Sequence, residues 1–484
     1  MRLLLLITAL AGIYAVRGSN LFHDGTLSAS ARMGKLLAVL PVEERAAMFK
    51  HLVRSREVFA RANGNVKAQE STRRSSSLAT SSENPSIEEI NREMAAYMYG
   101  GDIILSPDQL TTYEKSLRID MKTGRSVRGA PWVTNINFWP IDHPIAYKFH
   151  GSISTDSRAL IRIALADIAS KTCFTFQENY NVGTTLLFHD GGVCQSYVGV
   201  VTTGEQPLSL GRGCMEHGVI QHEVSHALGL DHTQCRYDRD SFIRVNYENI
   251  EWGAQYNFEK LSPIQNDNFG VYYDIGSAMH YGMMSFSNNS RPTIEPLDAD
   301  YRNTIGNRKS LTFSDLKMLN MQYNCFATCP NYIRCRNGGF QNAKNCSSCI
   351  CPYMFAGALC EKDPIRHIVY WSSSGAESTT ITFRNVWTAS FTETPPELVQ
   401  APIGQLIDIE IEHLGSNETF LYSERACPNY GVEFFDGDMT TTGKRFCGRV
   451  DSGRKIRSKT NMIGVRVYGT PGMVLEGTIK FSPA

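Results

Sequence analysis

Residues 222–232 read His-Glu-Val-Ser-His-Ala-Leu-Gly-Leu-Asp-His, and this run restricts the fold more than any other stretch of the chain. On a helix, His222 and His226 are four apart and project from one face, so two imidazoles can meet one cation with Glu223 beside it. Gly229 can take a positive φ, which ends the helix and lets the chain return His232 as a third ligand. Three nitrogen ligands suit Zn2+ and leave it an open position, which makes hydroxide available near neutral pH. Glu223 is then placed as general base, taking a proton from water during attack on a peptide carbonyl and passing it to the leaving amine. A five-residue HExxH arises by chance in long chains. The glycine and third histidine at fixed offsets make chance a poor account here.

The rest of the chain must be compatible with such a centre. Its 484 residues, 42% of them hydrophobic, exceed one ordinary domain and exclude disorder of the whole. The 48 basic and 48 acidic side chains cancel, which leaves no electrostatic footprint for nucleic acid. The apolar stretch Leu3 to Val16 follows Arg2 and precedes the small residues Gly18 and Ser19, as in a secretory signal peptide over 1–18. It is shorter than the roughly 20 residues a membrane span needs. A secreted, extracellular protein without a membrane span is expected, and the thirteen cysteines and the glycosylation sequons at Asn288, Asn345 and Asn417 agree with that compartment.

Composition divides the chain beyond the signal. Residues 19–128 hold no cysteine and include a polar stretch from Gln69 to Pro85, which reads as a propeptide. Its end, Arg125-Ser-Val-Arg128, has the paired-arginine spacing at which an activating protease would cut. Residues 129–326 alternate strand-like runs with one helical run from Ser157 to Ser170, and hold the zinc motif. Residues 327–361 carry six cysteines from Cys329 to Cys360, a segment too short to fold on apolar burial alone. Residues 362–484 show alternating runs such as Thr380-Ile-Thr-Phe383 and Gly464-Val-Arg-Val-Tyr468, which read as strands of a sandwich.

Ser277-Ala-Met279-His-Tyr281 comes some fifty residues after the zinc run. A methionine there with tyrosine two places on, together with the long zinc signature, resembles the metzincins and among them the astacin family. The Tyr237-Asp-Arg-Asp240 run, the spacing of Cys194 and Cys214, the bracketing pair Cys173 and Cys325, and Trp139-Pro140 before Ile145-Ala-Tyr147 point the same way. The resemblance implies an α+β catalytic domain of two lobes with the zinc helix between them. It makes Met279 the methionine turn beneath the metal, and Tyr281 a fifth zinc ligand at rest that swings away to stabilise the oxyanion. Tyr99-Gly-Gly-Asp102 resembles the family's propeptide motif, whose aspartate binds zinc, so Asp102 is the latency candidate.

The segment 327–361 resembles an EGF-like module and 362–484 the second half of a CUB domain. These resemblances imply disulfides Cys173–Cys325, Cys194–Cys214, Cys329–Cys346, Cys335–Cys349, Cys351–Cys360 and Cys427–Cys447, which leaves Cys235 as a free thiol. Acidic residues typical of calcium-binding EGF and CUB modules are missing, Tyr430 standing where such a CUB domain has one, so no calcium is expected. Two departures stand out. The family carries Glu directly after the third histidine, where this chain has Thr233, and Ser where it has Cys235. The wording HALGLDH is closer to the matrixins, but no cysteine precedes Cys173, which excludes their cysteine-switch propeptide.

The expectation is a secreted zinc endopeptidase made as a zymogen, similar to nematode-type astacins with EGF and CUB tails. Its partners would be an activating protease and extracellular protein substrates, such as matrix or cuticle proteins. The alternative is a secreted binding or adhesion protein whose protease domain is silent.

Overall fold

The computed structural model describes residues 28–63, 85–123, 137–180, 183–362, 368–370, 378–386, 392–393, 397–416, 427, 430–447, 452–469 and 474–484. The expected signal segment 1–18, the cleavage position Arg128 and the sequon Asn417 lie outside the described residues. Among the described residues no helix is long and apolar enough to cross a membrane.

The cysteine-free segment supplies helices α1 (Ala29–Ala38), α2 (Val42–Ala62), α3 (Ile87–Asn91) and α4 (Pro107–Thr123), with a short strand β1 (Ile103–Ile104) between the last two. Helix α3 starts at a capping box, in which Ser86 and Glu89 satisfy each other's backbone N–H groups. The helices bury apolar residues against the catalytic region. Phe59 of α2 stacks on Tyr256 at 4.8 Å, within a cluster that includes Tyr99, Leu110, Tyr113 and Val198.

The catalytic region carries a mixed sheet ordered β1-β5-β6-β4-β2-β3. Its own strands are β2 (Ile145–Phe149), β3 (Phe176–Glu178), β4 (Thr185–His189), β5 (Cys194–Tyr197) and β6 (Glu205–Leu210). The pairs β2–β3, β2–β4 and β4–β6 are parallel, β5 runs antiparallel to β6, and β1 adds in parallel to the free edge of β5. Parallel neighbours need a crossover. Between β2 and β3 it is helix α5 (Thr155–Lys171), capped by the Ser154 hydroxyl, which accepts from Ser157 N at 3.2 Å. Its buried residues Ile161, Ala164, Leu165 and Ile168 fall at helical spacing on one face, which packs on the zinc helix α6 (His217–Ala227). Burying each of the larger ones is worth roughly 1.5–3 kcal/mol.

After α6 the chain is mostly irregular, with the two-stranded pair β7 (Ile243–Val245) and β8 (Ile294–Pro296), and closes on helix α7 (Phe313–Gln322). This helix-poor second lobe packs around Phe258, Tyr281, Phe286 and Ile294. Disulfides Cys173–Cys325 and Cys194–Cys214 tie the domain.

The cysteine-rich segment contributes only the pair β9 (Phe340–Gln341) and β10 (Cys349–Ile350), held by Cys329–Cys346, Cys335–Cys349 and Cys351–Cys360. Two sheets come after it, built from β11 (Ile368–Tyr370), β12 (Thr379–Val386), β13 (Thr392–Glu393), β14 (Glu397–Gln400), β15 (Ile407–Ser416), β16 (Tyr430–Asp436), β17 (Lys444–Phe446), β18 (Arg454–Arg457), β19 (Met462–Gly469) and β20 (Val474–Pro483). One is ordered β11-β14-β19-β16-β17 with β13 also on β19, the other β12-β20-β15-β18. Alternation places the strands: Ile407, Ile409 and Ile411 of β15 enter the core between the sheets, while Asp408 faces out and pairs with Arg457 at 2.7 Å. Cys427–Cys447 closes this sandwich.

Candidate metal centre

Helix α6 is buried along its length and brings His222, Glu223 and His226 to one place. It ends at Leu228, and Gly229, at φ 97°, donates its N–H to His226 O at 2.8 Å, the left-handed turn that the sequence requires there. The chain then returns His232. The Nδ1 atoms of His222 and His226 point outward, 2.7 Å from Ala278 O and 2.8 Å from Leu230 O, and each carries the ring proton in order to donate to these carbonyls. Their Nε2 atoms are therefore bare, and they lie only 3.0 Å apart.

Asp102 of the cysteine-free segment completes the group. Its Oδ2 lies 3.3 Å from His222 Nε2 and 3.2 Å from His232 Nε2, its Oδ1 3.8 Å from His226 Nε2. All four residues are buried, and among the described residues this is the one cluster of such groups able to hold a metal ion. The two bare nitrogens and a carboxylate converging out of water repel one another unless a cation lies among them, and imidazole nitrogen with carboxylate oxygen is a donor set that Zn2+ accepts. The residues fit zinc.

Glu223 stands beside the cluster with both carboxylate oxygens buried and no hydrogen-bond partner. Burial, and then the charge of Asp102, push its carboxyl well above the ordinary value, with Arg308 opposing them. Met279 is 1% exposed and belongs to the same buried cluster as Val224 and Ala227 of the zinc helix. The turn it occupies is tied to the ligands, since Ala278 O holds His222 and Met279 O accepts from Thr233 N at 2.9 Å. Tyr281 is fully buried, its ring centroid 4.8 Å from that of His232, and its hydroxyl donates to Gly100 O. In this arrangement the tyrosine hydroxyl thus meets the segment that carries Asp102.

That segment approaches closely because its backbone is bare. A Cβ on Gly100, at φ 59°, would lie 2.7 Å from His232 Nδ1, and one on Gly101, at φ 77°, 2.5 Å from the Phe286 ring. A second contact was not visible in the sequence. Glu88 of α3 forms a two-pronged ion pair with Arg308, at 2.7 and 3.2 Å, and Arg308 also donates to His280 O at 3.4 Å. Capping-box chemistry could have found α3, but nothing local links residues 220 apart.

Thr233 takes a defined place. Its hydroxyl exchanges a 2.8 Å hydrogen bond with Ser277 Oγ, which donates to Asp315 Oδ1 at 2.5 Å. Cys235 is a free, buried thiol that burial pushes well above its ordinary pKa. Asn288 and Asn345 are exposed, Asn288 donating through Nδ2 to Ile250 O at 3.0 Å.

A two-lobed α+β domain whose central helix and returning histidine face a methionine turn defines the metzincin class of zinc peptidases. The family model described as Astacin, a peptidase family, matches residues 132–324. Zinc metalloproteinase dpy-31 of Haemonchus contortus is 34% identical over 414 residues, 82% of this chain and 73% of that protein. Zinc metalloproteinase nas-37 of Caenorhabditis elegans is 34% identical over 389 residues, 79% of this chain and 48% of its own length. The chain belongs to the astacin family. It spans about half the length of nas-37 and about three quarters of that of the Haemonchus protein. Among solved structures, high choriolytic enzyme 1, a hatching enzyme zinc-protease from Oryzias latipes (medaka), is 37% identical, covering 37% of this chain and 88% of that one with a TM-score of 0.34.

Proposed function

We propose that the chain is the zymogen of a secreted zinc endopeptidase that cuts extracellular proteins. The observation that carries this reading is the convergence of three imidazole nitrogens on a carboxylate supplied by the cysteine-free segment. His222, His226 and His232 would hold the zinc, and Asp102 would occupy the position that water needs. Zinc, when bound, supplies Lewis-acid activation of water and of the scissile carbonyl.

The chain's own residues do the rest. Cleavage near Arg128 frees residues 19–128, and loss of Asp102 and Glu88 removes two of the three influences that raise the Glu223 carboxyl. Admission of water reduces the other, burial, so Glu223 ionises and can take a proton from water, then deliver it to the leaving amine nitrogen. The Tyr281 hydroxyl loses its Gly100 acceptor and is free to donate to the oxyanion. Arg308, stripped of Glu88, remains beside the cleft as a cation without its carboxylate, which favours substrates with an acidic side chain near the cut bond.

The test is hydrolysis of a mixed peptide library by the zinc-loaded protein after cleavage near Arg128, with and without Glu223→Ala, read by mass spectrometry. Expected are cuts enriched for Asp or Glu beside the scissile bond, and a rate at least ~1000-fold lower in the variant. Folded, zinc-loaded protein that cuts nothing would favour the silent binding protein.

A further inference from the structure

We infer that the C-terminal sandwich is part of the support of the metal centre, with Thr442 acting as a positioning residue for the methionine turn through Asp274; this rests on the peptidase reading above. Thr442 lies in the loop between β16 and β17, and its side chain is 2% exposed. Its N–H donates to Asp274 Oδ1 at 3.1 Å and its hydroxyl to Asp274 Oδ2 at 3.1 Å. Asp274 is also 2% exposed and belongs to the catalytic domain. Its other acceptor sites take Gly276 N at 3.0 Å and Ser314 Oγ, at the start of α7, at 2.5 Å.

One carboxylate therefore joins three parts: the sandwich, helix α7 and the strand of backbone leading into the turn. Hydrogen bonds to a buried carboxylate are among the stronger kind, and each donor lost leaves part of the charge unsolvated. From Asp274 the link to the metal ligands is short. Gly276 N is held by Asp274, Ala278 N and Ser277 Oγ by Asp315, and Ala278 O fixes Nδ1 of His222. A displaced turn would rotate the first zinc ligand, and sub-ångström errors in such a shell are costly to catalysis.

The fit is close enough to restrict the sequence on the other side. A Cβ on Gly276 would lie 2.6 Å from Thr442 Cβ and Cγ2. The loop is also anchored around Thr442. Gly443 O accepts from Thr304 Oγ1 at 2.9 Å, Thr304 Oγ1 in turn accepts from Arg445 N at 3.0 Å, and Cys427 N donates to Asn303 O at 2.8 Å. Lys444, 3% exposed, reaches Asp298 and Asp436 at 3.2 Å each and Asp300 at 3.5 Å. The accessory module is in this way fastened to the wall that carries the turn.

The test uses the full chain with Thr442→Val, which keeps the shape and removes the hydroxyl, and Thr442→Ser, which restores it. Amide hydrogen exchange across 274–281 is read in the uncut protein, kcat and KM after activation. For Thr442→Val we expect exchange about tenfold faster in that segment, kcat about tenfold lower and KM within about twofold, with Thr442→Ser close to the parent. Should the valine variant fail to fold, Thr442→Ala removes the same hydroxyl without bulk. Unchanged exchange and kcat in a folded Val or Ala variant would overturn the inference, as would an equal loss in Thr442→Ser. If the activated parent cuts nothing, the peptidase reading fails, while hydrogen exchange still decides the link between Thr442 and the turn.

Discussion

The segment 28–123 and the C-terminal sandwich both bury charge against the catalytic domain, the first over the metal ligands and the second against the turn that supports them. They differ in what each buried group would be left with on separation. Asp102 and Glu88 cover a histidine cluster and an arginine that, in the proposed peptidase, have other work to do with metal, water and substrate. Thr442 meets Asp274, and Lys444 meets Asp298 and Asp300, acids of the catalytic domain that have no such alternative. A contact made to be broken is thus built on groups that remain useful when exposed. A permanent one is built on groups that do not.

The comparison breaks most readily at Asp102. Asp102→Ala in the uncut chain should raise hydrolysis at least ~100-fold above that of the uncut parent, because the ligand position opens without cleavage. Thr442→Val in the uncut chain should show no such rise. Glu88→Gln should have the next largest effect, since it leaves Arg308 buried without a carboxylate, a loss of about 3–5 kcal/mol in docking of the segment. A lower urea midpoint and faster proteolysis of 28–123, with the sandwich unaffected, would show it.

The same ion pair sets a pH dependence. Burial would raise the Glu88 carboxyl, but the charge and hydrogen bonds of Arg308 prevail and hold it below its ordinary value. Its contribution is therefore complete above the usual carboxylate range and is lost as pH falls through the lower folded value. Acid should loosen the segment in the parent and do so less in Glu88→Gln, as followed by limited proteolysis across pH 7 to 3. The smallest effect concerns Cys235. With 1% of its surface exposed and the thiol pushed up by burial, it should resist alkylation until denaturant is added. Mass shifts of the native protein check this.

What the sequence made legible depended on distance along the chain. His222, Glu223, His226 and Gly229 speak through helical spacing, and β15 through its alternation, because periodicity is local. His232 and the cysteine spacings needed only short turns or a known module. The Glu88–Arg308 pair and the Thr442–Asp274 contact were not legible, since each joins residues 168 or more apart and neither residue type is unusual in its own surroundings. Thr233 shows a different limit. As a departure from the family it reads as a missing anchor, but its meaning here comes from the Ser277 and Asp315 hydroxyl–carboxylate chain, which no spacing announces.

The two bare positions before Asp102 have a genetic consequence. Glycine codons reach alanine by one base change, and at residue 100 or 101 the single methyl gained would press on His232 or Phe286. On the zymogen reading, inherited loss of latency would therefore also arise at sites that bear no charge, bind no metal and take no part in hydrolysis. A survey of variants that looked only at the ionisable residues would pass over them.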